Sequence, residues 1–403
     1  MRKRKLKSLN LVVLVASAMF VKACITISDF DRGHLEPAPV QPVEITYELE
    51  RGLIILEASI NGVQGRFIFD NGFSLSAVNT GFAQRAGIEF SGRSNIRDAN
   101  SIRTSLPETT VERADIGGQV FVDTGFYLVD TDLFLPCASV DGIIGASIIN
   151  KINWHVDFNS QVILMDSTPF ENVGITINTS VSSNNSSFAR FKLNGLPIKA
   201  KIDFGSTNEF KLGAEEFYSS FIGEKAEART GIASFSATGP GKSDTRYTLT
   251  DTYSVASNGQ QLPAQGGVVL TQKMKYQAYV GIDWFKKYDV TINSSRKEYV
   301  LATPEGNPIQ EKESSWSVSV YPIDGVYRVI QLNTGDEIAK ELTLMEEVTA
   351  IDDLPVDSFS NICDFRSHLQ TQKAKEESLT IQVAGRDAVL VVPFKIADSI
   401  ILE

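Results

Sequence analysis

The feature that most constrains this chain is a repeat inside it. Ile60-Asn-Gly-Val-Gln-Gly-Arg-Phe-Ile-Phe-Asp70-Asn-Gly72 has a counterpart in Leu193-Asn-Gly-Leu-Pro-Ile-Lys-Ala-Lys-Ile-Asp203-Phe-Gly205. In each, an Asn-Gly pair between apolar runs marks a tight hairpin, and the second strand ends in Asp-x-Gly. A second matched pair follows: Gly142-Ile-Ile-Gly145 in the first copy and Tyr279-Val-Gly281 in the second. Asp70 to Gly145 spans 75 positions and Asp203 to Gly281 spans 78. Two blocks repeated in the same order at nearly the same spacing indicate a duplicated unit, so the fold must be built from two like halves.

Most of the chain alternates short β-branched runs with Gly, Asn and Asp turns, which predicts a mainly β body. Short helices are expected at Asn79 to Ala86, at Ser147 to Lys151 and, near the end, at Phe359 to Lys373. The halves are placed at 45–172 and 173–308, with a small α+β unit at 315–398. In that last unit Val326–Leu332 reads as a strand, Thr334–Leu342 as a turn with a short helix, Glu347–Val356 as a strand and turn, and Leu379–Phe394 as a closing hairpin.

The N-terminus has a different character. Arg2, Lys3, Arg4, Lys5 and Lys7 precede a short apolar run from Leu9 to Val21, too short to span a bilayer. Residues 1–23 therefore read as a signal peptide. Val21-Lys22-Ala23-Cys24 resembles a bacterial lipobox, which implies lipidation of Cys24; a plain cleavage after small residues is the other reading. Residues 24–44 form the lipidated end and a Pro-rich tether. The expectation is an exported bacterial lipoprotein held at the periplasmic or outer face of a membrane.

Loss of the signal removes six basic residues and takes the net charge from −11 to −17. So acidic a body argues against nucleic acid as a partner. Of the two remaining cysteines, Cys137 and Cys363 are far apart and read as buried small hydrophobes. The histidines, His34 in the tether, His155 on a solvent-facing strand and His368 in the last unit, show no metal-ligand spacing and no Ser-His-Asp order. No cofactor or metal is expected.

The paired Asp-x-Gly and apolar-apolar-Gly blocks resemble those of the retropepsin-like and pepsin-like aspartic proteases over about residues 45–305. The resemblance implies two tandem retropepsin-like β-barrel halves forming a pepsin-like bilobal pseudo-dimer. It implies Asp70 and Asp203 as a catalytic dyad, supported by Asn71, Gly72, Gly205, Ser206, Gly145 and Gly281. Two carboxyls held together share a proton, and such a pair activates water for attack on a peptide bond. The substrate is then a peptide or unfolded protein, and one chain carrying both halves needs no second copy. Asn71 and Phe204 stand where the family has Thr or Ser, and Phe offers no hydrogen-bonding group. That departure keeps open an alternative, a protease fold that binds peptides without cutting them. Flaps over the cleft are expected in Arg97–Ser105 and Thr230–Gly241. The last unit resembles a PDZ-like domain, which implies that Gly325, Val326 and Tyr327 receive a peptide carboxylate.

Overall fold

The computed structural model describes residues 32–396 except 38–40, 214–216, 218–225, 233, 237, 250–252, 266–267, 272–273 and 304–313. The proposed signal peptide and Cys24 lie outside the described residues.

Both Asn-Gly pairs turn the chain as their residue types require. Leu53–Ile60 and Val63–Asp70 pair antiparallel with Ile60 opposite Val63, and Asn61 and Gly62 have φ of 50° and 81°. Ser187–Leu193 and Leu196–Asp203 repeat this around Asn194 and Gly195, at 46° and 80°. A two-residue hairpin needs positive φ at both central positions, which Asn and Gly adopt at least cost.

Each aspartate strand then pairs in parallel with its glycine strand. Asp70 lies opposite Gly145, and Asp203 opposite Gly281. Between them in sequence a third strand, Ser76–Val78 or Phe210–Gly213, pairs antiparallel with the glycine strand and parallel with a further one. A single helical turn follows each glycine strand, Ala146–Ile149 and Ile282–Phe285, with Gly145 and Gly281 at its N-cap. A Cβ on either glycine would sit about 2 Å from a backbone oxygen, Leu75 O or Asn208 O, so only glycine fits there.

The halves join through one six-stranded antiparallel sheet. Val43–Glu50, Val162–Asp166 and Asn153–Asp157 come from the first half; Asp289–Asn293, Glu298–Ala302 and Ile175–Val181 come from the second. At the seam Trp154 pairs with Ile292, His155 with Thr291 and Val156 with Val290. One buried apolar cluster runs through both halves, and Phe69, Trp154, Phe204 and Trp284 are all within it. His155 is half-buried rather than solvent-facing, its Nδ1 3.1 Å from Thr291 Oγ1.

The last unit has a core of its own, including Val329, Ile351, Phe365 and Ile381. Its helix is Ile362–Ala374, starting three residues later than expected because the Asn361 side chain accepts the N–H groups of Cys363 and Asp364. A strand pairing and a covalent bond are among its ties to the body. Strand Val326–Asn333 pairs with Ala226–Gly231 of the second half, Thr230 opposite Leu332. The covalent bond corrects the sequence reading: Cys137 and Cys363 form a disulfide, with Cα atoms 5.5 Å apart across 226 residues of sequence. Cys363 is exposed and Cys137 half-buried, so neither acts as a core hydrophobe. Part of the expected tether is also ordered, since His34–Leu35 pairs with Val122 and Phe121.

Candidate active site

Asp70 and Asp203 end their strands at the floor of one cleft, where the two halves meet. A Cβ on Gly72 would lie 2.1 Å from Asp203 Oδ1, and one on Gly205 would lie 2.3 Å from Asp70 Oδ2. Each carboxylate therefore rests against the glycine that follows the other aspartate. Any side chain at those glycines would push the pair apart, which is the close-approach requirement that Asp-x-Gly meets. Asp70 Oδ1 accepts the Gly72 N–H at 2.7 Å and, across the seam, the Gly205 N–H at 3.1 Å.

Asn71 and Phe204 take up the positions behind the dyad. Asn71 Oδ1 accepts the Phe204 N–H at 2.8 Å, and its Nδ2 donates to the Tyr299 hydroxyl at 2.8 Å. The Phe204 ring is fully buried, 5.0 Å from the Phe285 ring and 6.1 Å from that of Phe69. It exchanges a hydrogen bond for packing within the shared core. Ser206 does not bond a carboxylate: its N–H donates to Asp203 O and its Oγ accepts from Asn208.

The reciprocal tie between the halves comes from a residue that the sequence reading passed over. Lys201 lies two positions before Asp203 on the same strand, so both side chains leave the same face. Its Nζ donates to Gly72 O at 2.5 Å and lies 3.3 Å from Asp203 Oδ2. The ion pair is nearly dry, with side-chain exposures of 9% and 12%. Tyr276 and Tyr279 rings stand 5.8 and 5.6 Å from the ammonium. The matching position of the first half is Ile68, so the dyad is electrostatically lopsided.

Burial, and then the negative charge of Asp203, push the Asp70 carboxyl up to about 7, while Lys201 opposes the rise. Below about pH 7 the proton rests on Asp70, while Asp203 faces the Lys201 ammonium. Activity that needs this state falls as pH rises through about 7. Lys201→Met removes the opposing charge, so Asp70 holds its proton longer and the alkaline limb of kcat/KM moves up by about one unit. Lys201→Arg keeps the charge and should leave the limb near its place. A limb unmoved by Lys201→Met would reduce Lys201 to a mechanical tie.

Both expected flap segments reach over the cleft and touch. Strands Gly92–Arg97 and Arg103–Ile116 carry the first tip. Its Asp98 carboxylate accepts the Ser236 hydroxyl at 2.5 Å and also the Thr238 hydroxyl. Ser234 Oγ donates to Asn100 Oδ1 at 2.6 Å, and Lys275 Nζ to Arg97 O at 3.0 Å. Beneath them is a cavity of about 670 Å³ lined by Asp70, Asp203, Gly72, Gly205, Lys201 and Tyr279 among others. That volume suits a short length of peptide.

Gly325, Val326 and Tyr327 do not gather into a carboxylate loop. Asp324 and Gly325 form a two-residue hairpin turn, Val326 pairs with Ile323, and the Tyr327 ring packs 4.8 Å from Phe365. Among the described residues no group of three or more His, Cys, Asp or Glu is placed to hold a metal, and no helix is long and apolar enough to cross a membrane.

Residues 56–148 match the family model described as aspartyl protease. The matched segment contains Asp70, Gly72 and Gly145. Among solved structures the chain is similar to a retropepsin-like aspartic protease from Rickettsia conorii, at 17% identity and a TM-score of 0.24, over 33% of this chain and 93% of that one. No curated protein matches.

Proposed function

We propose that the chain is an aspartic endopeptidase whose two halves form a pepsin-like bilobal pseudo-dimer. The observation that carries this reading is the packing of each catalytic carboxylate onto the other half's glycine, with Gly205 N–H bonded to Asp70. In this scheme a water held between the carboxylates loses a proton to Asp203 as its oxygen attacks the peptide carbonyl carbon. Asp70 gives its proton to the carbonyl oxygen, and a tetrahedral diol forms. A proton then passes to the nitrogen, the C–N bond breaks, and an amine and a carboxylic acid leave. The Asn71 bond to Phe204 and the Lys201 bond to Gly72 keep the pair aligned without the family's hydroxyls. This favours cleavage over mere peptide binding.

The disulfide supports the proposal of export, since such bonds persist in oxidising compartments. Anchoring through Cys24 belongs to the same proposal. For the PDZ-like unit we propose a part in handling substrate, because its Tyr321 and Arg366 line the cavity that holds the dyad.

Digestion of an unfolded protein in ¹⁸O-labelled water is the test. One labelled oxygen should enter each new carboxyl group, and an added amine nucleophile should capture no acyl fragment, because no acyl-enzyme forms. Intact substrate after long incubation from acid to neutral pH would sink the reading.

A further inference from the structure

The chain as a whole is acidic, at −11, yet cationic side chains outnumber carboxylates along the catalytic cavity. Some of those cations have work already: Lys201 is paired with Asp203, and Lys275 ties the first flap. Four others do not. The side chains of Lys211, Arg246, Arg51 and Arg366 line the cavity and make no hydrogen bond or ion pair among the described residues.

These four form two like-charged couples. Lys211 lies opposite Tyr279 on the strand next to the glycine strand, as Lys201 does from the other side. Arg246 is on the same sheet, two strands further out, and its Nε is buried with no partner. Burial, and then the charge of Arg246, lower the Lys211 ammonium to about 8, against weaker pulls from Asp203 and Asp244. At the third unit's side of the cavity, burial and the charge of Arg51 depress Arg366; burial depresses Arg51 too, against the pull of Glu50, and Tyr321 is beside both. Holding two cations together, partly out of water, costs stability unless an anion joins them.

Resting on the reading of this cleft as a peptide site, we propose that it is a receptor for acidic substrates, with Lys211 and Arg246 taking one carboxylate side chain and Arg51 and Arg366 another. The disulfide gains a purpose here. Cys363 and Arg366 are three apart on helix Ile362–Ala374 and so share a face, and the bond to Cys137 fixes that face on the first half. Opposite charge across a partly enclosed cleft gives both attraction and register.

The experiment measures binding separately from cleavage. Full-length protein with Asp70→Asn, which cannot turn over, is titrated with a labelled peptide bearing glutamates on both sides of a central apolar pair, and with its glutamine twin. The glutamate peptide should bind about tenfold tighter at low salt, with the margin shrinking as salt is added. Adding Lys211→Met should remove most of that margin while the melting midpoint holds or rises, because an unpaired buried charge has gone. Arg366→Gln, made separately, should remove part of it as well. Equal affinity for the two peptides, or a preference untouched by both substitutions, overturns the proposal. If the wild type cleaves nothing yet prefers glutamate through Lys211 and Arg366, the receptor stands and only the peptidase reading fails. Cleavage of both peptides with equal affinity has the opposite meaning and removes the receptor alone.

Discussion

Asparagine at position 203 is expected to lower kcat/KM by about a thousandfold, and asparagine at position 70 by a similar factor. Each amide holds its place in the dyad but neither accepts water's proton nor supplies one to the carbonyl oxygen. Combining the two should cost little more than either alone, because groups that act as a unit lose their effect together. Stability should separate what activity does not. Asp70 is the carboxyl that burial keeps protonated up to about pH 7, so its amide replaces one neutral group by another. Asp203 is the partner of a nearly buried ammonium, and its amide leaves Lys201 uncompensated. Asp203→Asn should therefore destabilise the fold by about 3 kcal/mol, while Asp70→Asn at pH 6 should cost far less. Steady-state kinetics and denaturant titration of the same two proteins check both statements. Undiminished turnover in either variant would show that the dyad is not the engine, and equal stabilities would show that Lys201 does not depend on Asp203.

What could be read from sequence here was whatever is enforced locally. Asn61-Gly62 and Asn194-Gly195 announce hairpins because positive φ at two successive positions suits few other residues. Gly72, Gly145, Gly205 and Gly281 announce close approaches because a Cβ would collide at each. The order of these signals, repeated, carried both the two-half architecture and the dyad. Contacts made at long range carry no such local mark. Nothing near Cys137 or Cys363 specifies that 226 residues later the chain returns to within a disulfide's reach. Asp98 reads as a loop aspartate, and only the folded chain brings Ser236 and Thr238 to it. Phe204 reads as a defect because its hydroxyl-bearing counterpart is absent, although burial against Phe285 and a backbone bond to Asn71 do the same joining. Lys201 is different, since its place two residues before Asp203 on a strand already implies a shared face. The signal was present, but Lys199 and Lys201 alternating with apolar residues look like an ordinary half-exposed strand. Gly325 failed in the other direction: a glycine before an apolar run fits a hairpin tip as well as a carboxylate loop, and the chain uses it as the former.

Cys363→Ser, or reduction of the wild type, bears on how the last unit is held. Closing so long a loop restricts the unfolded chain strongly, and the usual gain from such a bond is about 2–4 kcal/mol. The loss should not spread evenly. The body has a continuous core through both halves and the interlobe sheet, none of which involves either cysteine. The last unit has its own smaller core and, once the disulfide is cut, a strand contact with Ala226–Gly231 as its remaining described tie of regular structure. Unfolding in denaturant should therefore split, with an early transition for the last unit and a later one close to that of the oxidised body. Trp316 reports on the first, lying in the last unit with its ring 5.5 Å from Phe394, and Trp154 and Trp284 report on the second. Catalysis on a neutral peptide should survive, because Asp70, Asp203 and Lys201 belong wholly to the body. Discrimination for glutamate should weaken, because Arg366 loses the bond that keeps its helix face on the cleft. Coincident unfolding curves with and without reductant would mean that the strand pairing and apolar packing already fix the unit, and that the disulfide adds nothing they do not supply.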